Sequence, residues 1–202
     1  GASSTEEWDV DGGHMAERSA LFIIIALGES VLVTGATIAE IALTPSVVGA
    51  FLASFGTTIA MWWIYFNVGA GTGRHLIEHS DDPGRVARIA YTYVPVLLIA
   101  GIIVTAVADE LVLAHPVGHH ADGAVLFATV GGPALYVFGN LMFKWVCSKA
   151  IPVSHVIGLV LLAVSALIGH YLEPMPLSWL TTFILFTVAF WEHRLREAGR
   201  SA

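Results

Sequence analysis

Residues Ser19–Ile41 read SALFIIIALGESVLVTGATIAEI. This run is long and apolar enough to cross the roughly 30 Å hydrocarbon core of a bilayer, which takes about 20 helical residues. Glu29, within the triplet Gly28-Glu29-Ser30, lies near the centre of the run. An ionisable side chain at that depth costs at least about 2.5–3.5 kcal/mol. The run therefore predicts a membrane-spanning helix whose central carboxylate has a partner, a bound proton or a function.

The composition extends this prediction to the rest of the chain. Hydrophobic residues make up 56% of the sequence and charged residues only 12%, whereas soluble domains carry about 25% charged residues. The mean hydropathy is +0.75. The apolar runs are continuous rather than alternating, which excludes the strand pattern of a membrane β-barrel. The sequence thus predicts an all-α, polytopic membrane protein whose first partner is the lipid bilayer.

Six apolar runs are separated by short polar connections, and Pro45 and Pro152 mark two helix starts, where proline is tolerated. The predicted spans are about Ser19–Ile41, Ser46–Ala70, Val86–Ala108, Gly123–Val146, Pro152–Leu172 and Pro176–Glu192. We therefore expect a bundle of six transmembrane helices at residues 19–193. A polar cytoplasmic segment is expected at 1–18 and a basic cytoplasmic tail at 194–202.

The orientation follows from the basic residues, which are enriched in cytoplasmic loops. With six spans, both termini and the second and fourth connections share one side of the membrane. That side would hold all nine Lys and Arg residues: Arg18, Arg74, Arg85, Arg88, Lys144, Lys149, Arg194, Arg196 and Arg200. The other side, reached at Glu40, Asp109–Asp122 and Glu173, has none. This distribution predicts that both termini are cytoplasmic.

The segment His14-Met15-Ala16-Glu17-Arg18, followed by Leu21-Phe22-Ile23-Ile24-Ile25-Ala26-Leu27-Gly28-Glu29-Ser30, resembles the bacterial low temperature requirement A family. Members carry an "H-x-x-E-R-x-x-L-F-x-I-I-x-L-G-E-S" pattern that enters a transmembrane helix. The resemblance implies a multi-pass protein of the bacterial cell membrane. The family is named for a growth phenotype at low temperature, and the resemblance implies no settled molecular activity.

The chain differs from that family in length. Members are usually about twice as long, and their first half opens with an "E-L-F-F-D-L-V-F-V" type segment that does not occur here. The chain therefore resembles the second, C-terminal half alone. The expected protein partner is either a missing first half or a second copy of the chain.

Helix geometry aligns Glu29 with two other charged residues on the same helix. Eleven residues make almost three helical turns, so Arg18, Glu29 and Glu40 lie on one stripe, with about 16.5 Å between successive members. Such a stripe could line a path for a proton or cation. Alternatively, Glu29 is protonated or hydrogen-bonded to a neighbouring helix and fixes packing. Gly28 and Gly35, one heptad apart, predict a closely packed neighbouring helix.

Other polar residues are candidates for the same path. Gly131-Gly132-Pro133 predicts a kinked or broken fourth span, and such breaks often line transporter sites. Pro95 is a second kink candidate. The further candidates for an ion path are Ser30, Asn67, Asn140, His155 and His170. For the two histidines, hydrogen-bonded interfacial side chains are the alternative, and a plain kink is the alternative for the fourth span.

The sequence offers little for other classes of function. His115, His119 and His120 lie near Asp109, Glu110 and Asp122, but Pro116 and Gly118 break any helical register, so no metal site and no cofactor are expected. No Gly-x-Ser-x-Gly or His-Glu-x-x-His motif occurs, and an enzyme is not expected. The net charge of −7 argues against nucleic acid as a partner. The single cysteine, Cys147, excludes an internal disulfide.

The function predicted best is a transporter or channel-like protein linked to a proton or cation, with Glu29 as its central group. The alternative is a membrane protein that does not transport, either a structural half-domain or a sensor of bilayer state.

Overall fold

The structure is a computed structural model that describes residues 12–68, 86 and 88–200. Arg74 and Arg85, which the orientation prediction used, lie outside the described residues, as does most of the predicted N-terminal segment. The helices are α1 (Gly12–Glu40), α2 (Pro45–Val68), α3 (Val94–Ala114), α4 (Gly123–Ser148), α5 (Val153–Ile168) and α6 (Pro174–Arg200). A π-helical turn, Ile89–Tyr93, precedes α3, and a 3-10 turn, Gly169–Tyr171, follows α5.

Six helices in the described ranges are long and apolar enough to cross a membrane, and these ranges contain no strand. The predicted all-α, six-span architecture is therefore confirmed. The helices run past the predicted spans at several ends, because an apolar window measures membrane thickness rather than helix length. α1 begins at Gly12, and α6 continues through the predicted tail to Arg200.

One boundary changes the position of two carboxylates. The third span was predicted to end near Ala108, with Asp109 and Glu110 in the following connection. α3 continues to Ala114 and ends before His115-Pro116, since a residue that precedes proline avoids the helical conformation. Asp109 and Glu110 are therefore helical residues, and their placement in the connection was wrong.

Contacts between connections identify the two ends of the bundle. At one end, Ala121 N–H donates to the carbonyl of Leu172 (2.8 Å), and Met175 N–H donates to the carbonyl of Pro116 (3.0 Å). At the other end, Lys144 on α4 pairs with Glu192 on α6. All described Lys and Arg residues belong to this second end, which we call the basic end. The first end, which carries Glu40, Asp122 and Glu173, is called the acidic end.

α3 and α4 form the tightest helix pair. A Cβ on Gly132 would lie 2.5 Å from Thr105 Oγ1 and 2.7 Å from the Thr105 backbone nitrogen, and a Cβ on Gly101 would lie 2.7 Å from the Tyr136 nitrogen. Glycines at these positions let the two backbones touch, as small residues do between membrane helices. α4 runs without interruption through Pro133. The predicted break at 131–133 is thus absent, and Gly132 serves helix packing.

Pro95 does perturb its helix. Proline has no N–H, and in a regular α-helix its ring presses against the carbonyl four residues earlier, here that of Tyr91. The chain forms a π-helical turn at this place, in which Val94 N–H donates to the carbonyl of Ile89, five residues before. The irregularity that the sequence predicted at Pro95 is therefore a widened turn at the start of α3.

Buried hydroxyls join α2 to α6 in the middle of the bundle. Thr182 Oγ1 lies 2.6 Å from Thr57 Oγ1 and 3.1 Å from the carbonyl oxygen of Ala53. Both threonine side chains are buried. Since the apolar interior offers no water, this pair fixes the rotation of one helix against the other.

We expect Thr182→Val to lower the free energy of unfolding by about 0.6–1.7 kcal/mol, the range measured for hydrogen bonds between membrane helices. Unfolding by sodium dodecyl sulfate in mixed micelles would measure this loss in the free energy of unfolding. Thr187→Val is the matched control, because the exposed Thr187 hydroxyl donates only to Phe183 of its own helix (2.8 Å). Equal losses in the two variants would contradict the assignment.

α1 lies at the periphery of the bundle and packs mainly against α3. Only 22% of its most apolar window is buried, against 33–56% for the other five helices. A Cβ on Gly28 or Gly35 would meet nothing within 4 Å. The close neighbouring helix that these glycines predicted is therefore absent from the described part of this chain.

Candidate functional site

Two grooves follow one another along the contact between α1 and α3, which we call the α1–α3 seam. The groove nearer the basic end has a volume of about 300 Å³ and is lined by Arg18, Ser19 and Thr92, among others. The second groove has a volume of about 450 Å³ and is lined by Glu29, Ser30 and Glu110 within apolar walls. Phe22 and Ile99 line both grooves. The seam thus carries charged groups on both sides of the apolar residues Phe22 and Ile99, which the two grooves share.

Helical spacing places the α1 groups on the seam. Phe22, Ala26, Glu29 and Val33 recur at intervals of three and four residues, which is one face of a helix, and all four line the second groove. Glu29 is exposed there, whereas Ser30 is buried and its carbonyl accepts a hydrogen bond from Thr34 Oγ1 (2.8 Å). The predicted stripe holds for its first two members, because Arg18 and Glu29 line successive grooves.

Glu110 is the group in this seam that sequence reasoning missed. It lies four residues before the end of α3, nearer the acidic end than Glu29 is. The sequence did contain a signal for it. The run Leu111-Val112-Leu113-Ala114 continues the apolar third span beyond Asp109-Glu110, so the two acidic residues interrupt a helix instead of ending it.

Asp109, the neighbour of Glu110, lies on a different side of α3. Its side chain is only 3% exposed, and the Ser54 hydroxyl of α2 is the polar group that faces it. Its Oδ2 atom has no hydrogen-bond partner among the described residues. A carboxyl group buried without full hydrogen bonding is expensive. Asp109 therefore joins Glu29 and Glu110 as an acidic group of the apolar helices, and its Oδ2 atom is unsatisfied among the described residues.

A buried charge cluster joins three helices near the basic end, and we call it the α4–α6 charge cluster. It consists of Lys144 on α4, Ser154 and His155 on α5, and Glu192 on α6. Lys144 Nζ pairs with Glu192 Oε2. Ser154 Oγ donates to Glu192 Oε1 (2.8 Å), and His155 Nδ1 lies 3.2 Å from the same oxygen. Both oxygens of one carboxylate are therefore bonded, each to a different helix.

His155 is fully buried within this cluster. Its Nδ1 atom can donate to Glu192 when it carries the proton, and it also lies 3.2 Å from Ser154 Oγ. Its Nε2 atom has no partner among the described residues. His155 was one of the predicted site residues, whereas its partners Lys144 and Glu192 were not recognised as members of a site.

The remaining predicted residues lie apart. Asn140 Nδ2 donates to the carbonyl of Tyr136 in its own helix (3.0 Å). Asn67 Oδ1 lies 3.4 Å from His193 Nδ1 on α6. His170 is exposed at the acidic end, with its ring centroid 3.7 Å from that of Tyr171. The structure thus brings Arg18, Glu29 and Ser30 to one seam but places the other candidates elsewhere.

The histidines of the third connection do not assemble a metal site in the part of the chain that the structure describes. The rings of His115 and His119 are 5.7 Å apart between centroids. Within the described ranges, no group of three or more His, Cys, Asp or Glu side chains converges in a way that could hold a metal ion.

Six apolar helices, antiparallel in sequence order and linked by buried polar contacts, define a multi-pass α-helical membrane protein. The chain belongs to the bacterial low temperature requirement A protein family, whose profile matches residues 1–190. It is similar to an uncharacterized protein of Rhizobium meliloti (strain 1021), with 40% identity over 205 residues. That match covers 100% of this chain and 49% of the relative. No solved structure matches the chain.

The chain therefore spans about half the length of the relative. The family assignment confirms the resemblance found in the segment that enters α1. That the chain corresponds to the C-terminal half in particular stays a prediction.

Proposed function

We propose that the chain is a transporter or channel-like membrane protein that moves, or is gated by, a proton or small cation along the α1–α3 seam. One observation carries this proposal: the groove of Arg18 and the groove of Glu29 and Glu110 follow one another and share Phe22 and Ile99. Glu29 is the central group, because it is the carboxylate of α1 that lines a groove together with Phe22 and Ile99.

The chemistry of each group suits this role. Glu110, near the acidic end, draws cations into the second groove, and Glu29 holds a proton or coordinates the ion deeper in the membrane. Intramembrane acidic side chains commonly mark such pathways. Phe22 and Ile99, which line both grooves, act in this proposal as an apolar barrier of the kind that gates by excluding water. Arg18 lies on the other side of Phe22 and Ile99, and its positive charge repels cations until that charge is neutralised.

The direction of the path follows from the proposed orientation. We place the protein in the bacterial cell membrane with both termini in the cytoplasm, since Lys and Arg favour the cytoplasmic side and all described members lie at the basic end. Ions would then reach Glu29 from outside the cell by way of Glu110.

Glu29→Gln tests the proposal, because the amide keeps the size of the side chain and cannot release a proton. We expect it to lower flux at least tenfold in proteoliposomes that contain a fluorescent pH indicator or radioactive rubidium. The chain would be reconstituted alone and as a full-length chimera, in which it replaces the matching segment of the Rhizobium meliloti relative.

Glu40→Gln is the matched control, since Glu40 lies at the end of the same helix and lines neither groove. It should leave flux unchanged. The proposal fails if neither parent protein conducts, or if Glu29→Gln conducts as well as its parent.

A second candidate function is a non-transporting membrane protein, structural or bilayer-sensing. It is favoured by the local hydrogen bonds of the interior polar groups, since Asn140 and Thr34 both donate to carbonyls of their own helices. Under this alternative, Glu29→Gln alters stability in the absence of any measurable flux.

A further inference from the structure

α1 has an uncovered face with the spacing of a helix-packing surface. Leu21, Ile25 and Leu32 are 57%, 64% and 69% exposed, and with Gly28 they recur at intervals of four, three and four residues, as in paired helices. At Gly28 a Cβ would meet nothing within 4 Å. A second helix could therefore approach the α1 backbone closely at this point, which is how small residues act in membrane interfaces.

The exposed face of α5 provides a comparison within the same protein. Between Val156 and Ile168 every exposed side chain of α5 is hydrophobic, as suits a surface that faces lipid. The α1 face differs, because Glu29 is exposed at its centre and Glu110 lies across the adjoining groove. Lipid tails offer no hydrogen bond to a carboxylate, and such groups in membranes almost always face a partner or water.

We propose that this face of α1 is the docking surface for a transmembrane helix from outside these 202 residues, which carries a basic or amide side chain at the depth of Glu29. The helix packs along Leu21, Ile25, Gly28 and Leu32, and its polar side chain donates hydrogen bonds to the Glu29 carboxylate. The docking also closes the lipid-facing side of the second groove. The inference concerns assembly and does not depend on ion transport.

A second copy of the chain fits this surface less well. Copies inserted in the same orientation and related by a two-fold axis present the same patch to each other at the same depth, so Glu29 would face Glu29. All Lys and Arg residues in the described ranges lie at the basic end and reach neither carboxylate. Within the described ranges, a two-fold contact of this kind thus supplies no basic side chain to Glu29, which favours another sequence as the source of the donor.

The length of the relative indicates the source of such a helix. The match covers 49% of the Rhizobium meliloti protein, which leaves about as much sequence again outside it. We assign the docking helix to this non-matching half, in the same polypeptide or in a separate one.

Site-specific photo-crosslinking tests the assignment. The photoreactive amino acid p-benzoylphenylalanine would be incorporated at the position of Ile25 in the tagged chain. The non-matching half of the relative would be expressed in the same cells with a second tag, and its presence in the membrane fraction confirmed. The control places the photoreactive residue at Leu167, which is 72% exposed on α5.

We expect irradiation to join the two polypeptides from position 25 and not from position 167. Glu29→Leu should lower the yield of this product at least fivefold, because the leucine removes the acceptor for the partner's polar side chain. A product of twice the chain's mass would identify a second copy as the occupant and overturn the proposal. The proposal would also be overturned if the photoreactive residue at position 25 reacted with lipid alone while both halves were in the membrane.

The two proposals fail separately. A crosslink from position 25 together with flux that survives Glu29→Gln would leave the docking surface intact and refute the ion path. Flux that depends on Glu29 without any crosslink would do the reverse. If the partner half expressed separately does not reach the membrane, the full-length chimera described above is used instead. A protease cleavage site is placed between the two halves of this chimera. After irradiation and proteolysis, crosslinked halves stay together in one band.

Discussion

Replacing Glu192 by alanine is expected to lower the free energy of unfolding by about 3 kcal/mol, the lower part of the range for breaking one side of a buried ion pair. Glu192 is 8% exposed and binds Lys144, Ser154 and His155 from two other helices. Without it, the Lys144 ammonium stays in an apolar environment with no counter-charge. Unfolding in mixed micelles, followed by circular dichroism, would measure the loss.

A double substitution separates the charge pair from the rest of the cluster. In Lys144→Met with Glu192→Gln, both charges are gone, and the amide oxygen at position 192 still accepts from Ser154. Replacing a buried ion pair by neutral groups is often close to neutral in stability. We therefore expect the double variant to be more stable than Glu192→Ala and also more stable than Glu192→Gln alone. A double variant that is no more stable than Glu192→Gln would show that Lys144 is not paired with Glu192 in the folded protein.

Glu197→Ala is the matched control on the same helix. Its side chain is 57% exposed, and exposed substitutions usually change stability by less than about 0.5 kcal/mol. An equal loss at positions 192 and 197 would contradict the burial of the α4–α6 charge cluster.

Gly132→Ala is the second substitution with a large expected effect. The new methyl group would lie 2.5–3.0 Å from atoms of Thr105, two of which belong to the backbone. Backbone atoms cannot move aside as the end of a flexible side chain can, so α3 must shift away from α4. We expect a loss of about 2 kcal/mol, within the range for overpacked interiors, as measured by thermal unfolding in detergent.

Gly131→Ala makes this test sharp, because it adds the same methyl group to the adjacent residue of the same helix. Its Cβ would lie 3.8 Å from the nearest atom, a carbon of the Phe127 ring, which is ordinary contact. Alanine is also the better helix former by about 1 kcal/mol. Gly131→Ala should thus be neutral or stabilising, and a loss equal to that of Gly132→Ala would refute the close α3–α4 contact.

The six-helix architecture was predictable because each span is a local property of the sequence. Twenty or so apolar residues are enough to define a membrane helix, whatever it packs against. The stripe of Arg18 and Glu29 was predictable for the same reason, since the pitch of one helix sets it. The ends of α3 and α6 were missed, because helices continue into polar sequence until a breaker such as Pro116 stops them.

The charge cluster could not be found in this way. Lys144 and Glu192 are 48 residues apart in sequence, and only the packing of α4, α5 and α6 brings them together. The sequence did place both at the same end of the bundle, which permitted the contact without specifying it. The uncovered face of α1 was missed for a related reason. Gly28 and Gly35 predicted a close neighbour, but a single helix does not reveal whether such a neighbour belongs to its own chain.

The widened turn at Ile89–Tyr93 has a consequence for how this region can evolve. A π-helical turn equals an α-helix with one residue inserted, so deletion of Thr92 would restore a regular helix and leave α3 in register. The deletion would also bring the Pro95 ring against a carbonyl of the preceding turn. Gain or loss of that one residue therefore changes how the start of α3 accommodates the proline. Two mutations that are separate in the gene are thus coupled through one turn of helix.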